Sequence, residues 1–175
     1  MVNKLSPQEI ADQAKRTYIA GDYPATVQAF AEAASAYADV GDAPMSAEMK
    51  NNASVALLRD KQAQAALEAA QGTDAVFAEA GDTRRQGMAL ANQASALEAL
   101  KRFKEAIDFY TRAGDALGKA GEVDLRLEVI QLLSALYLRR FKFFDAIITL
   151  QSGLAAVKNP TPKQRFMKKL LFFRL

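Results

Sequence analysis

The sequence predicts an all-α protein, an α-solenoid of four helix-turn-helix repeats closed by a C-terminal capping helix. Three observations predict it. Turn chemistry returns about every 20 residues along a 175-residue chain. The stretches between turns are rich in Ala, Leu, Glu, Gln and Arg, and alanine alone accounts for 35 residues; these are strong helix formers. Small and large residues also recur at helical spacing in the same places of every 40-residue unit, and periods between about 20 and 50 residues mark stacked repeats.

Val40-Gly41-Asp42, Ala80-Gly81-Asp82 and Ala120-Gly121-Glu122 recur at a spacing of 40. A second series falls midway: Gly21-Asp22-Tyr23, Lys61-Gln62-Ala63, Lys101-Arg102-Phe103 and Phe141-Lys142-Phe143. These breaks predict helices near 7–20, 24–39, 44–59, 63–79, 83–99, 103–118, 123–139, 143–157 and 162–173. Ser6-Pro7-Gln8-Glu9 opens the first with a capping box and a proline at its first helical position, and Thr161-Pro162-Lys163-Gln164 repeats that logic for the last. Gly41, Gly81 and Gly121 suit the left-handed residue that closes a helix. Asp42, Asp82 and Glu122 then place an acid at the next N-terminus. The organisation is an N-terminal cap (1–6), repeats of about 7–42, 43–82, 83–122 and 123–158, and a basic amphipathic C-terminal helix within 159–175.

Within each first helix the series runs Ile10-Gln13-Ala14-Thr17, Lys50-Ala53-Ser54-Leu57, Leu90-Gln93-Ala94-Leu97 and Ile130-Leu133-Ser134-Tyr137. Positions 14, 54, 94 and 134 are all Ala or Ser, which lets two helix backbones approach closely. In the second helices the series is Thr26-Phe30-Ala33, Ala66-Ala70-Thr73, Ala106-Tyr110-Ala113 and Ala146-Leu150-Gly153. Small residues thus flank a larger one on a single face. A bundle or coiled coil would instead show sustained heptads and no 40-residue echo.

These positions, with the aromatic turn residues Tyr23, Phe103 and Phe143, resemble the tetratricopeptide (TPR) repeat, whose pattern is W-x2-L-G-x2-Y, then A-x3-F, then P. The resemblance covers roughly residues 7–157. The 40-residue period is similar to the long-repeat branch of kinesin light chains, Pins-type proteins and soluble attachment proteins. The chain departs from the pattern: it has no Trp, Ala or Ser stands for the Gly, and repeats one to three lack the closing Pro. Repeat two is the weakest, with Lys50, Ala63 and Ala70 at positions usually large, and is expected to be the most mobile.

The resemblance implies a right-handed superhelix whose first helices line a concave groove, and a non-catalytic scaffold or adaptor that binds a peptide or a partner helix there. Carried onto this chain, the groove positions are Lys15 and Tyr18 in repeat one, and Asn51, Asn52, Val55, Leu58 and Arg59 in repeat two. Repeat three offers Asn92, Ser95 and Glu98, and repeat four Gln131, Leu138 and Arg139. Amides of this kind bond a peptide backbone and Arg grips a carboxylate. Some relatives hold acidic chaperone tails in a carboxylate clamp. Asn52 and Asn92 fall at clamp positions, but its cation places are taken by Ala11, Asn51, Met88 and Leu132, so a clamp is not expected.

Composition narrows the chemistry. There is no Cys, His or Trp, which removes thiolate sites, imidazole ligands and every His-based relay. No phosphate-cradling glycine loop occurs. Glu105 and Asp108 share a helix face with Lys101, Arg102 and Lys104, a charge-balanced surface rather than an acid–base pair. No enzyme, cofactor or metal site is expected. No export signal or membrane-spanning run is visible, so a cytoplasmic protein is expected.

Charge is polarised. Residues 1–80 carry 6 Lys+Arg and 11 Asp+Glu, residues 81–175 carry 17 and 9, and the whole chain is net +3. Residues 163–175 hold five cations and no acid, with Phe166, Leu170 and Phe173 on one face beside Met167 and Leu171. This segment is expected first to cap the last repeat. The alternative is a structural element that self-assembles or tethers to a membrane surface through it. An end this apolar is also what a piece of a longer array would present. The basic residues lack the clustered aromatic platforms of single-strand binders apart from the last few positions, so a nucleic-acid partner is not expected.

Overall fold

The computed structural model describes residues 5–172, and those residues form ten helices. They are α1 (Pro7–Ala20), α2 (Tyr23–Asp39), α3 (Ala43–Arg59), α4 (Ala63–Ala70), α5 (Thr73–Glu79), α6 (Thr83–Ala99), α7 (Phe103–Lys119), α8 (Val123–Arg139), α9 (Phe143–Ala155) and α10 (Pro162–Phe172). Among the described residues there is no strand. Successive helices pack as antiparallel neighbours, each hairpin lying against the next, and α10 lies against α9. The molecule is an all-α solenoid of four hairpins with a capping helix. Residues 1–4 of the expected N-terminal cap and Phe173 of the expected apolar face lie outside the described residues.

The punctuation has one backbone solution used seven times. Residues 21, 41, 61, 81, 101, 121 and 141 all have φ between 59° and 79°. At each, the left-handed residue and its successor turn their N–H groups back onto the helix just ended. Gly81 bonds Ala78 at 3.0 Å and Asp82 bonds Phe77 at 2.9 Å, while Phe141 bonds Leu138 at 3.0 Å and Lys142 bonds Tyr137 at 2.9 Å. This is the Schellman closure, which satisfies carbonyls that a helix end leaves open. Glycine takes the conformation freely, whereas Lys61, Lys101 and Phe141 adopt it against the steric preference of an L side chain.

The starts follow their chemistry. Ser6 and Glu9 form the capping box, and Thr161 and Gln164 form the second. The Asp22, Asp42 and Asp82 carboxylates accept from the amides of Ala25, Met45 and Arg85 at 2.8–3.1 Å. Glu122 makes no such bond. Its extra methylene carries the carboxylate away, and Glu122 pairs instead with Arg84 at 3.0 Å.

The structure corrects one element. The helix expected over 63–79 is two helices, α4 and α5, broken at Gln71-Gly72, with Gly72 at φ 78°. Glycine inside a helix costs about 1 kcal/mol relative to alanine. The equivalent positions in the other repeats are Glu32, Arg112 and Ser152. Here the chain leaves the helix at Gly72, and Thr73 donates its hydroxyl to the Ala70 carbonyl at 2.6 Å. A cleft of about 360 Å³ opens beside the break, lined among others by Ala38, Ser46, Lys50 and Val76. Lys50, at a position filled by Ile10, Leu90 and Ile130 elsewhere, is exposed.

The core is a row of seams. Ala14, Ser54, Ala94 and Ser134 are all buried, as are Ala33, Thr73, Ala113 and Gly153. Phe30 and Tyr37 of α2 pack with Met49 and Ala53 of α3. Phe77 of α5 meets Ala47 and Ala89, and Ala66 of α4 meets Leu57 and Ala96. Tyr110 and Leu117 of α7 pack with Leu90 and Leu97 on one side and Val129, Leu133 and Leu136 on the other. Helix approach is closest at Gly87, where a Cβ would lie 2.7 Å from Leu117 Cγ. Met167 and Leu171 of α10 cover Leu127, Leu154 and Val157. Phe166 and Leu170 remain exposed.

Candidate functional site

Two adjoining clefts lie along the face formed by the first helices. The larger, about 440 Å³, sits between repeats one and two and is lined by Lys15, Tyr18, Ile19, Phe30, Asn52 and Val55. Its walls are predominantly apolar, with the Lys15 ammonium and the Asn52 amide as polar groups. The smaller, about 100 Å³, lies between repeats two and three, and its lining includes Glu48, Asn52, Arg84, Arg85, Met88 and Asn92. Asn52 belongs to both, so the two form one surface.

Four residues expected from the sequence meet in the first cleft: Lys15, Tyr18, Asn52 and Val55. They come together because helix positions 15, 18, 52 and 55 share the face that α1 and α3 turn the same way. Asn51 also lines the smaller cleft. It is 7% exposed, donates to the Ala47 carbonyl at 3.3 Å and accepts from Asn92 at 3.3 Å. One step along a helix turns a side chain by about 100°, so Asn51 sits deeper than Asn52, against α6. Asn92 is half-buried and joined to it.

Leu58 is half-buried against the cluster of Leu57, Ala66 and Ala96, and Arg59 is exposed. Ser95 donates to the Ala91 carbonyl at 3.0 Å and lies 3.1 Å from the Tyr110 hydroxyl, which donates to Glu98 at 3.1 Å. Glu98 is also paired with Arg139. Burial pushes the Tyr110 phenol up to about 12; the bond with Ser95 opposes this and the neighbouring Glu98 carboxylate reinforces it. Gln131 and Leu138 are exposed on α8. Of the predicted positions of repeats three and four, Asn92 lines the smaller cleft, while Ser95, Glu98 and Arg139 form a hydrogen-bonded tie and Gln131 and Leu138 an open surface.

Sequence reasoning did not find Ile19 and Phe30, or the charged wall of the second cleft. Phe30 was legible only as a core knob. The second cleft is electrically closed: Arg85 lies 3.4 Å from Glu48 and 3.3 Å from Asp82, and Arg84 is 3.0 Å from Glu122. Arg84 and Arg85 meet these carboxylates through Nε, and Ala11, Asn51, Met88 and Leu132 stand at the cation places of the clamp. No group of three or more potential metal-ligating side chains occurs among the described residues.

No protein-family model matches the chain, and no curated protein matches its sequence. Solved structures do match its fold. One is a crystal structure of nearly identical TPR-like repeats attributed to a kinesin light chain of Podosopora anserina, with a TM-score of 0.74, 15% identity, and coverage of 94% of this chain and 84% of that one. A singly substituted variant of that protein matches with a TM-score of 0.75 and 14% identity over 97% and 88%. The fold is a TPR-like repeat array.

Proposed function

We infer that this protein is a non-catalytic interaction scaffold that holds a peptide or a partner helix along the face of its first helices. The observation that carries the reading is the cleft of Tyr18, Ile19, Phe30 and Val55. It is concave, apolar and rimmed by one cation and one amide, which suits an apolar anchor side chain on an extended peptide or a short helix. Lys15, which donates to Asp12 at 3.1 Å with both side chains about half exposed, would turn to an acidic or C-terminal group next to the anchor, and the Asn52 amide would bond the ligand backbone. TPR-like folds support protein partners in general, and a cytoplasmic adaptor is the setting that fits.

The experiment is a peptide-display selection on the whole chain, followed by affinity measurement on the selected sequences. Selected peptides are expected to share one large apolar residue and to lose affinity about tenfold or more with Tyr18→Ala plus Ile19→Asp. Selected peptides that bind this variant as tightly as the unsubstituted chain would refute the groove reading.

A second reading rests on α10. Phe166 and Leu170 are exposed beside Lys163, Arg165 and Lys169, the arrangement of a helix that lies on an anionic surface or pairs with a copy of itself. Phe166→Glu with Leu170→Glu tests it, because Met167 and Leu171 still cover the last repeat. Unchanged solution mass and unchanged liposome binding would remove this reading. No helix among the described residues is long and apolar enough to cross a membrane.

A further inference from the structure

The outer end of repeat four differs from the same place in the other three repeats. Positions 24, 64 and 104 are Pro, Gln and Lys, and position 144 is Phe, 84% exposed. Positions 28, 68 and 108 are Gln, Glu and Asp, and position 148 is Ile, 63% exposed. The turn residue is Gly21, Lys61 and Lys101 in earlier repeats and Phe141 in the last, 81% exposed. Phe141 also holds φ at 59°, a conformation in which a bulky side chain is a steric outlier.

The seam side of α9 is bare as well. Val27, Leu67 and Ile107 are half-buried where the next hairpin covers them, but Ile147 and Phe143 are exposed, and the cluster that α10 joins comprises Leu127, Leu150, Leu154 and Val157 without them. Phe144 and Ile148 form one ridge at four-residue spacing and Phe143 and Ile147 a second. The groove between two such rows accepts the ridge of another helix. Phe144 and Ile148 face away from the position a further repeat would occupy, so the patch is wider than a repeat seam.

The turn that heads the ridges is cationic. Arg139, Arg140 and Lys142 fall within four residues there; Arg139 is paired with Glu98, and Lys142 lies 4.0 Å from Asp145, with both side chains still half exposed. At the turn, the Arg140 guanidinium sits 4.9 Å from the Phe103 ring centre and the Lys142 ammonium 5.8 Å from that of Tyr137. These contacts fix two charges beside the start of the apolar ridges. A helix with apolar residues at i, i+4 and i+7 and flanking Asp or Glu would meet both features, while a lipid surface needs no such register.

We propose that the ridges Phe143–Ile147 and Phe144–Ile148, with Phe141 at their head, form a docking site for an acidic amphipathic helix of a partner protein, separate from the groove of the first helices. The helix lies along the N-terminal two turns of α9, with its carboxylates toward Arg140 and Lys142. Binding weakens as salt rises, because the rim charges are exposed.

The test uses the 175-residue chain and a fluorescent synthetic helix of four turns, with Leu at i, i+4 and i+7 and Glu on both flanks. Controls are the same helix with Lys for every Glu, and vesicles of phosphatidylserine with phosphatidylcholine. The acidic helix is expected to bind, the basic helix is not, and Phe144→Asp with Ile148→Asp is expected to weaken binding about tenfold or more. Phe141→Gly is the second variant: it removes the ring and relieves the backbone, so the chain stays folded, and binding is expected to fall severalfold. Tyr18→Ala with Ile19→Asp is expected to leave binding unchanged. The proposal is overturned if the acidic helix fails to bind, if it binds the Phe144/Ile148 variant equally, or if only the groove variant abolishes binding. It is also overturned if these residues bind the vesicles and not the helix.

Discussion

Arg139 donates to the Glu98 carboxylate and ties the first helix of repeat four to that of repeat three. The two residues are 41 apart, and so are Asn51 and Asn92, which tie repeat two to repeat three. One geometric offset therefore serves a charged bridge at one seam and an amide bridge at the next. Arg139 is 61% exposed and Glu98 16% exposed, so water screens much of the attraction. A double-mutant cycle with Glu98→Gln and Arg139→Gln in urea is expected to give a coupling of about 0.5–1 kcal/mol that shrinks in high salt. A coupling that is zero at low salt would show that the bridge does not hold the seam.

Tyr110 makes stability depend on alkaline pH. Its phenol titrates near 12 in the folded chain against an ordinary value of 10. Between those values the folded state holds a proton that the unfolded state has released, so stability falls as pH rises. The contribution is complete below about pH 10 and is lost as pH climbs through about 12, with a limiting slope of about 1.4 kcal/mol per pH unit. Urea midpoints measured across that window are expected to fall less steeply for Tyr110→Phe than for the unsubstituted chain. Equal slopes would remove Tyr110 as the source.

Ser54 and Ser134 occupy the same repeat position and are expected to respond oppositely to alanine. The Ser134 hydroxyl donates to the Ala146 carbonyl at 2.9 Å. The Ser54 hydroxyl is buried without a partner. Removing an unpaired buried hydroxyl relieves a desolvation cost, so Ser54→Ala is expected to stabilise by about 1 kcal/mol, and Ser134→Ala to destabilise by about 1 kcal/mol. Thermal denaturation of the two variants checks the signs.

Gly87 and Gly114 separate packing from helix propensity. A Cβ on Gly87 would lie 2.7 Å from Leu117 Cγ and 3.2 Å from the Leu117 backbone nitrogen. Gly87→Ala is expected to cost about 1–3 kcal/mol through overpacking. At Gly114 the nearest atom to such a Cβ is Ile130 Cγ1 at 3.9 Å, ordinary contact. Gly114→Ala is expected to stabilise α7 by up to about 1 kcal/mol. Chemical denaturation that ranks the two variants the other way would contradict the packing described.

Most of the fold was legible because the chain punctuates itself. Four glycines, three aspartates and two capping boxes fix nearly every helix end by local chemistry, and local chemistry is written in consecutive residues. The break at Gly72 was missed because Ala66, Ala70 and Thr73 keep a helical face across it. The departure comes from one glycine, and its signal was a lone Gly followed by Thr. At the candidate site, Lys15, Tyr18, Asn52 and Val55 were named because the resemblance to TPR repeats puts those first-helix positions on the groove, and they line one cleft. Asn51 lines the second cleft nearly buried and bonded to Asn92, a depth that the neighbouring helix sets and the sequence of α3 does not show. Ile19 and Phe30 were hidden because the cleft they line forms between helices.

The seven left-handed turns give the internal junctions one bond pattern, so the backbone at the repeat boundaries 41, 81 and 121 is interchangeable. The side chains do not share that freedom. Where one hairpin meets the next, positions 89, 93 and 96 are Ala, Gln and Ala, and the matching positions 129, 133 and 136 are Val, Leu and Leu. Phe77 packs with Ala89 of the first set, and Ala113 and Leu117 pack with the second. Excising residues 82–121 would rejoin the chain without a new loop, yet would press Leu133 and Leu136 onto a flank shaped for alanine. The order of the hairpins is thus encoded in the volumes at their junctions, while the path of the chain is indifferent to it.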